Sequence, residues 1–226
     1  MTAGQKTEMA EHASQRSTIY GLLARVYRKE LTPELLRQIK DPQFMGVLSG
    51  LGIQLGDEFF SRQEEDLIED LAVEYTRLFL GPGKHISPHE SVHHDIQGGD
   101  WGKLWGKSTV EVKVFVETLG LKYKEDDHSI PDHISVEFEM MQKVIEKEAE
   151  EWEKGGNDEA LSFLKIEKRF IDDHLIQWVP IFCNKVITQA DHSFYREIAE
   201  LTKSFIEFEK ENIDAYISEA LIGSRT

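Results

Sequence analysis

At 226 residues, 40% hydrophobic and 30% charged, the chain is long enough to bury a full core and too apolar to stay disordered. Its 42 acidic against 26 basic residues leave a net charge of -16, which argues against nucleic acid as a partner and suits either a partner that carries positive charge or solubility alone. The single cysteine excludes an internal disulfide, no run approaches the ~20 apolar residues that span a bilayer, and the first 18 residues lack the apolar stretch of a secretory signal, so a cytoplasmic protein is expected.

Taken in order, residues 8–30 read as a helix, with Ile19, Leu22, Leu23, Val26 and Tyr27 at the spacing of one helical face. Thr32 and Pro33 suit the cap and first turn of a short helix carrying Leu35, Leu36 and Ile39, and Asp41-Pro42 repeats the device. The segment from Gly46 to Gly56 reads as a loop. From about Ser61 a long helix presents Leu67, Ile68, Leu71, Tyr75, Leu78 and Phe79, and Gly81-Pro82 ends it, with Gly81 as a left-handed cap. A long loop from Gly83 to Lys107 follows, in which Trp101 and Trp105 are expected to pack the chain down. Ser108-x-x-Glu111 is a capping box for a helix carrying Val112, Phe115 and Val116 as far as Gly120.

Beyond a polar linker, Lys122–Ser129, Asp132 is placed to cap a helix with Val136, Met140 and Val144 inward. Gly155-Gly156-Asn157-Asp158 turns the chain into the next helix, Trp178-Val179-Pro180 marks a break, and Phe194–Leu221 forms the last helix. The expectation is an all-α domain over residues 1–226, of about eight or more helices, with a hinge at 122–129 that would divide it into subdomains 1–121 and 130–226. Such a hinge is compatible with a monomer or a domain-swapped dimer. Cys183, in an apolar helical run, reads as a buried inert thiol.

Two motifs carry chemistry as strings. His89-Glu90-Ser91-Val92-His93 spells the H-E-x-x-H of zinc peptidases, in which two His one helical turn apart hold the metal and Glu is the general base, with Glu111 or Glu117 as a third ligand. Against it stand Gly81-Pro82-Gly83 before the motif and Gly98-Gly99 after it, which do not extend a packed helix. His85, His89, His93 and His94 would at most bind metal adventitiously. Gly102–Ser108 approximates a phosphate-binding loop, but Trp101 stands where the first Gly belongs and no strand precedes it. Asp132-His133 reads first as a helix cap; facing a groove, its carboxylate would pair an arginine.

Three separated segments, in order, resemble the TorD/DmsD family of cytoplasmic molybdoenzyme maturation chaperones. They are Tyr75-Thr76-Arg77-Leu78-Phe79-Leu80-Gly81-Pro82-Gly83 with Glu90-Ser91-Val92, then Pro131-Asp132-His133, then His174-Leu175, Trp178-Val179-Pro180, Phe182 and Phe194-Tyr195. The resemblance implies an all-helical protein that is not an enzyme and has no cofactor of its own. It would bind the twin-arginine signal peptide of an apo molybdenum oxidoreductase, favour molybdopterin insertion and hold back export. By position it implies peptide-binding roles for Tyr27, Tyr75, Leu78, Phe79, Pro82, Ser91, Asp132 and His133, with Tyr75, Leu78 and Phe79 flooring a groove. Family aromatics in the loop are replaced here by Gly83, His89, Glu90 and His93, and no guanine-nucleotide motif is recognisable. The readings that compete with it are the zinc peptidase and a plain helical interaction module.

Overall fold

The computed structural model describes residues 2–42, 45, 46, 49, 52–81, 83–93, 104–120 and 130–223. They are all-α; their one β feature is an isolated antiparallel bridge between His89 and His133. Helix α1 runs over Ala3–Arg28 and starts before residue 8 because Thr2 and Gln5 cap each other's backbone N–H groups. Helix α2 spans Pro33–Lys40 behind Thr32, whose hydroxyl accepts from Leu35 N–H as the sequence suggests. A short helix not expected from the pattern, α3 (Asp57–Ser61), buries Phe59. Helix α4 (Glu64–Tyr75) then widens into a π turn at Thr76–Leu80. Gly81, expected in the left-handed region, is extended at φ -62 and ψ 153.

After a three-residue 3₁₀ turn at Glu90–Val92, α5 covers Lys107–Thr118. Its expected capping box does not form. Gly106 is the N-cap, Ser108 is buried inside the first turn, and Glu111 pairs instead with Lys107 at 3.0 Å. Trp105 is 67% exposed rather than packed down, while Trp101, Pro82, His94 and the linker 122–129 lie outside the described residues. Helix α6 spans Ile134–Lys154 and ends at Gly155, whose φ of 83 is the left-handed cap a glycine tolerates. Helix α7 (Asn157–Phe170) passes through a second π turn, Ile171–Leu175, directly into α8 (Ile176–Gln189). The break expected near Pro180 is absent: Pro180 sits inside α8. Full burial of Trp178, Val179, Phe182 and Cys183 outweighs the one ladder hydrogen bond proline forfeits. Helix α9 (Ser193–Gly223) closes the chain.

Helix α1 lies along α6, and α9 lies along α8 and α7. Their apolar faces join one buried cluster that runs from Met9 to Ala220. At one end of it Arg16 enters the core, 6% exposed, and its guanidinium meets Glu148 of α6 at 3.0 Å, Glu167 of α7 at 2.5 Å and Glu209 of α9 at 2.9 Å. Burial pushes the Glu148 and Glu167 carboxyls upward against the pull of Arg16. One cation therefore ties together four helices. Cys183 is buried too, and desolvation pushes its thiol well up, so the thiolate is disfavoured. No described helix is long and apolar enough to cross a membrane.

Arg16→Met leaves three buried carboxylates without a cation. It is expected to destabilise the fold by about 3–5 kcal/mol in urea unfolding at pH 7.5. The loss should be smaller at pH 5, where the carboxyls whose folded values are raised take up protons at less cost.

Candidate recognition site

The π turn at Thr76–Leu80 turns Leu78 and Phe79 into the core together, 1% and 3% exposed, and leaves Leu80 at the surface. Its register is held from two sides. Ile86 N–H donates to Leu78 O at 2.7 Å, folding the following loop back onto the turn. Arg77 bonds Glu74 and Gln189 O, and the buried Glu74 carboxylate accepts from Asp191 N–H at 2.7 Å, which fastens α4 to the α8–α9 connection. Tyr75 donates its hydroxyl to Tyr27 O at 2.9 Å, and Tyr195 donates to Leu71 O. Phe79 then packs against Tyr27, Tyr75, Tyr195 and Phe182 at centroid distances of 5.0–6.1 Å.

Tyr75, Leu78 and Phe79 therefore do not floor an open groove, as expected of them. With Tyr27 they are at most 3% exposed and form the apolar, mostly aromatic bed beneath the candidate site.

On this bed lies the loop that ends in Glu90–Val92. It is laid beside the start of α6 by two backbone bonds, Glu90 N–H to Asp132 O at 3.0 Å and Ile134 N–H to Pro88 O at 2.9 Å. The Asp132 side chain, expected to cap α6, does something else. His133 is the N-cap, its Nδ1 accepting from Ser135 N–H, while Asp132 Oδ2 accepts from Ser91 N–H across the junction at 2.9 Å. Asp132 is fully buried. Burial, then neighbouring His89, holds the His133 imidazole down at about 3, so it is neutral at pH 7. Its ring meets His89 edge-on at 4.9 Å.

The zinc reading required His89 and His93 on one face of an α-helix. His89 is extended, and only a 3₁₀ turn separates it from His93. His93 stacks on Trp178 and donates from Nε2 to Ser87 O at 2.6 Å, which leaves Nδ1 to accept from Lys185. Glu90, the would-be general base, is 1% exposed and accepts from His174 Nδ1–H at 3.0–3.1 Å. Among the described residues no group of three His, Cys, Asp or Glu side chains is placed to hold a metal ion.

What assembles instead is a buried acidic node: Glu90, Asp132 and Glu137, with His174 and Trp178 as side-chain donors. Trp178 Nε1–H donates to Glu137 Oε2 at 3.1 Å. Burial, then the Glu90 and Asp132 carboxylates, holds the Glu137 carboxyl well above its usual range, so its protonated form is favoured. His174 lies on the second π turn, stacked on Phe170 at 4.7 Å. Glu137 was not singled out in the sequence, although its place one turn before Met141 and two before Val144 puts a carboxylate on an apolar helical face.

A sequence profile described as the nitrate reductase delta subunit matches residues 33–184. Among curated proteins the chain is 25% identical to the chaperone protein TorD of Photobacterium profundum over 206 residues, covering 86% of this chain and 92% of that one. It is 24% identical to chaperone protein TorD of Vibrio cholerae, covering 91% and 94%, and 27% identical to that of Vibrio atlanticus, covering 84% and 91%.

Because the folded Glu137 carboxyl titrates above its unfolded counterpart, it contributes full stability below about pH 4.5 and loses it as pH rises. Glu137→Gln keeps an acceptor for Trp178 and removes that loss. Thermal and urea unfolding should show the variant more stable than wild type by about 1–2 kcal/mol at pH 7.5, the gap closing toward pH 4.5.

Proposed function

This chain belongs to the TorD family, whose profile is described as the nitrate reductase delta subunit, and we propose that it matures a molybdenum oxidoreductase by binding that enzyme's twin-arginine signal peptide. On this reading the apo oxidoreductase is the partner and the cytoplasm is where the two meet. The chaperone favours molybdopterin insertion and holds the client back from export until it is folded.

One observation carries the reading. The three segments that resemble the family, far apart in sequence, meet at a single node. Ser91 bonds Asp132, Glu90 bonds His174, and Phe79 packs on Phe182. A twin-arginine peptide has a basic head and an apolar middle, and the node offers buried carboxylates beside apolar walls. The net charge of -16 would speed the encounter and make it salt-dependent. In the proposed role Asp132, Ser91 and His133 shape the polar end of the site, and Tyr27, Tyr75, Leu78 and Phe79 support it from below. Pro82 stays assigned by resemblance alone.

The test separates charge from scaffolding. Asp132→Asn retains an acceptor for Ser91 N–H and removes only the charge. Titration calorimetry with the client's signal peptide should show about tenfold weaker binding, roughly 1.4 kcal/mol, and a shallower dependence on salt than wild type. Equal affinity and equal salt slope would remove Asp132 from recognition. Failure of the wild type to retain an immature oxidoreductase in pull-downs would overturn the chaperone reading as a whole.

A further inference from the structure

The fold contains two buried acidic clusters, and they are neutralised differently. Around Arg16, three carboxylates share one guanidinium. At the node, Glu90, Asp132 and Glu137 are each at most 1% exposed; an imidazole N–H reaches Glu90 and an indole N–H reaches Glu137. Among the described residues Asp132 Oδ1 and Glu137 Oε1 have no hydrogen-bond partner, and neither does the buried hydroxyl of Ser91, whose backbone bonds Asp132. A buried carboxylate oxygen left unpaired is costly; the Arg16 cluster keeps one as well, Glu167 Oε1, but offsets it with a guanidinium on the same carboxylate.

His174 is where the node reaches the surface. It lines a groove of about 830 Å³ between α5 on one side and α7, its π turn and α8 on the other. The groove is apolar along Val110, Val114, Phe115, Leu119 and Ile166. Val110 and Val114, one helical turn apart, are 59% and 54% exposed. The charged residues that line it, Lys107, Lys165 and Arg169 against Glu111, Asp172 and Asp173, sum to zero, so selective charge is found behind His174 and not at the mouth.

We propose that this groove receives an arginine-bearing apolar segment of the client's signal peptide, whose guanidinium replaces the His174 imidazole on Glu90. The inference rests on the signal-peptide reading above and adds the place of binding and an internal competitor. The chemistry favours the exchange. A guanidinium brings a permanent charge and five N–H donors in a planar fork, where the imidazole brings a single N–H to Glu90. The further donors are of the kind Asp132 Oδ1 lacks. Displaced, His174 already borders the groove, beside Phe115 at 6.4 Å. A lysine, a point donor without the fork, is the poorer substitute.

The experiment titrates three proteins calorimetrically: wild type, Val114→Asp and His174→Gln. The probes are a synthetic peptide with two adjacent arginines before an apolar run, and two versions in which both arginines are lysine or glutamine. Wild type should prefer arginine to lysine. Val114→Asp, altered at an exposed position, should bind the arginine peptide about tenfold more weakly. His174→Gln should bind the arginine peptide more tightly than wild type and the glutamine peptide no differently.

Undiminished binding by Val114→Asp overturns the groove and leaves the signal-peptide reading standing. Equal or weaker arginine binding by a folded His174→Gln overturns the displacement. If that variant does not fold, the ¹⁵N imidazole resonances of His174 in the wild type decide the point, and their failure to move on adding the arginine peptide overturns it. No binding of any probe by wild type removes this inference together with the reading beneath it.

Discussion

A carboxylate taken out of water must be paired or protonated, and this bundle meets that requirement twice. At the Arg16 end, one guanidinium serves glutamates from α6, α7 and α9 while its own backbone belongs to α1. The contacts are directional, so they fix rotation and register of those helices more tightly than an apolar surface would. Three turns before Glu148 on nearly the same face of α6, Glu137 lies as deep as Glu90. The acidic node is carried in part by helices that Arg16 joins.

The helices were legible because burial and periodicity agree. Leu67, Leu71, Tyr75, Leu78 and Phe79 recur at helical spacing and all are buried. What escaped was hydrogen-bond choice. Asp132 was read as a cap for its own helix, but His133 takes the cap, and the freed carboxylate serves Ser91 some forty residues earlier in the chain. Ser108 and Glu111 have the spacing of a capping box, yet Ser108 is drawn into the core and Lys107 takes Glu111. Local motifs offer a side chain a short-range partner; tertiary packing decides whether it accepts.

The same competition explains why the site was only half visible. The resemblance drew attention to aromatics around Tyr75 and Phe79, and these turn out to be the foundation. Of the charged residues above them, Glu90 and His174 belong to the segments that carry the resemblance, whereas Glu137 announces itself in sequence only as a polar residue on an otherwise apolar helical face. Arg16 sits that way between Ala13 and Tyr20, and Glu209 between Phe205 and Ile213. Polar intrusions on an apolar stripe were the available signal, and it identifies the Arg16 cluster and Glu137.

A chaperone that must release its client faces a limit on affinity that an inhibitor does not. Carboxylates standing open for a guanidinium would be solvated and would hold it through surface pairs of little energy; carboxylates buried with nothing opposite them would unfold the site. An internal imidazole on Glu90 avoids both extremes. It pairs Glu90 inside the fold, and in the proposed exchange its return to Glu90 would lower the net gain from a guanidinium that displaces it. By population-shift arithmetic, each tenfold preference for the self-paired state costs the peptide tenfold in apparent affinity. On that proposal release would require no separate device, because the group that closes the site is the one the peptide would have moved.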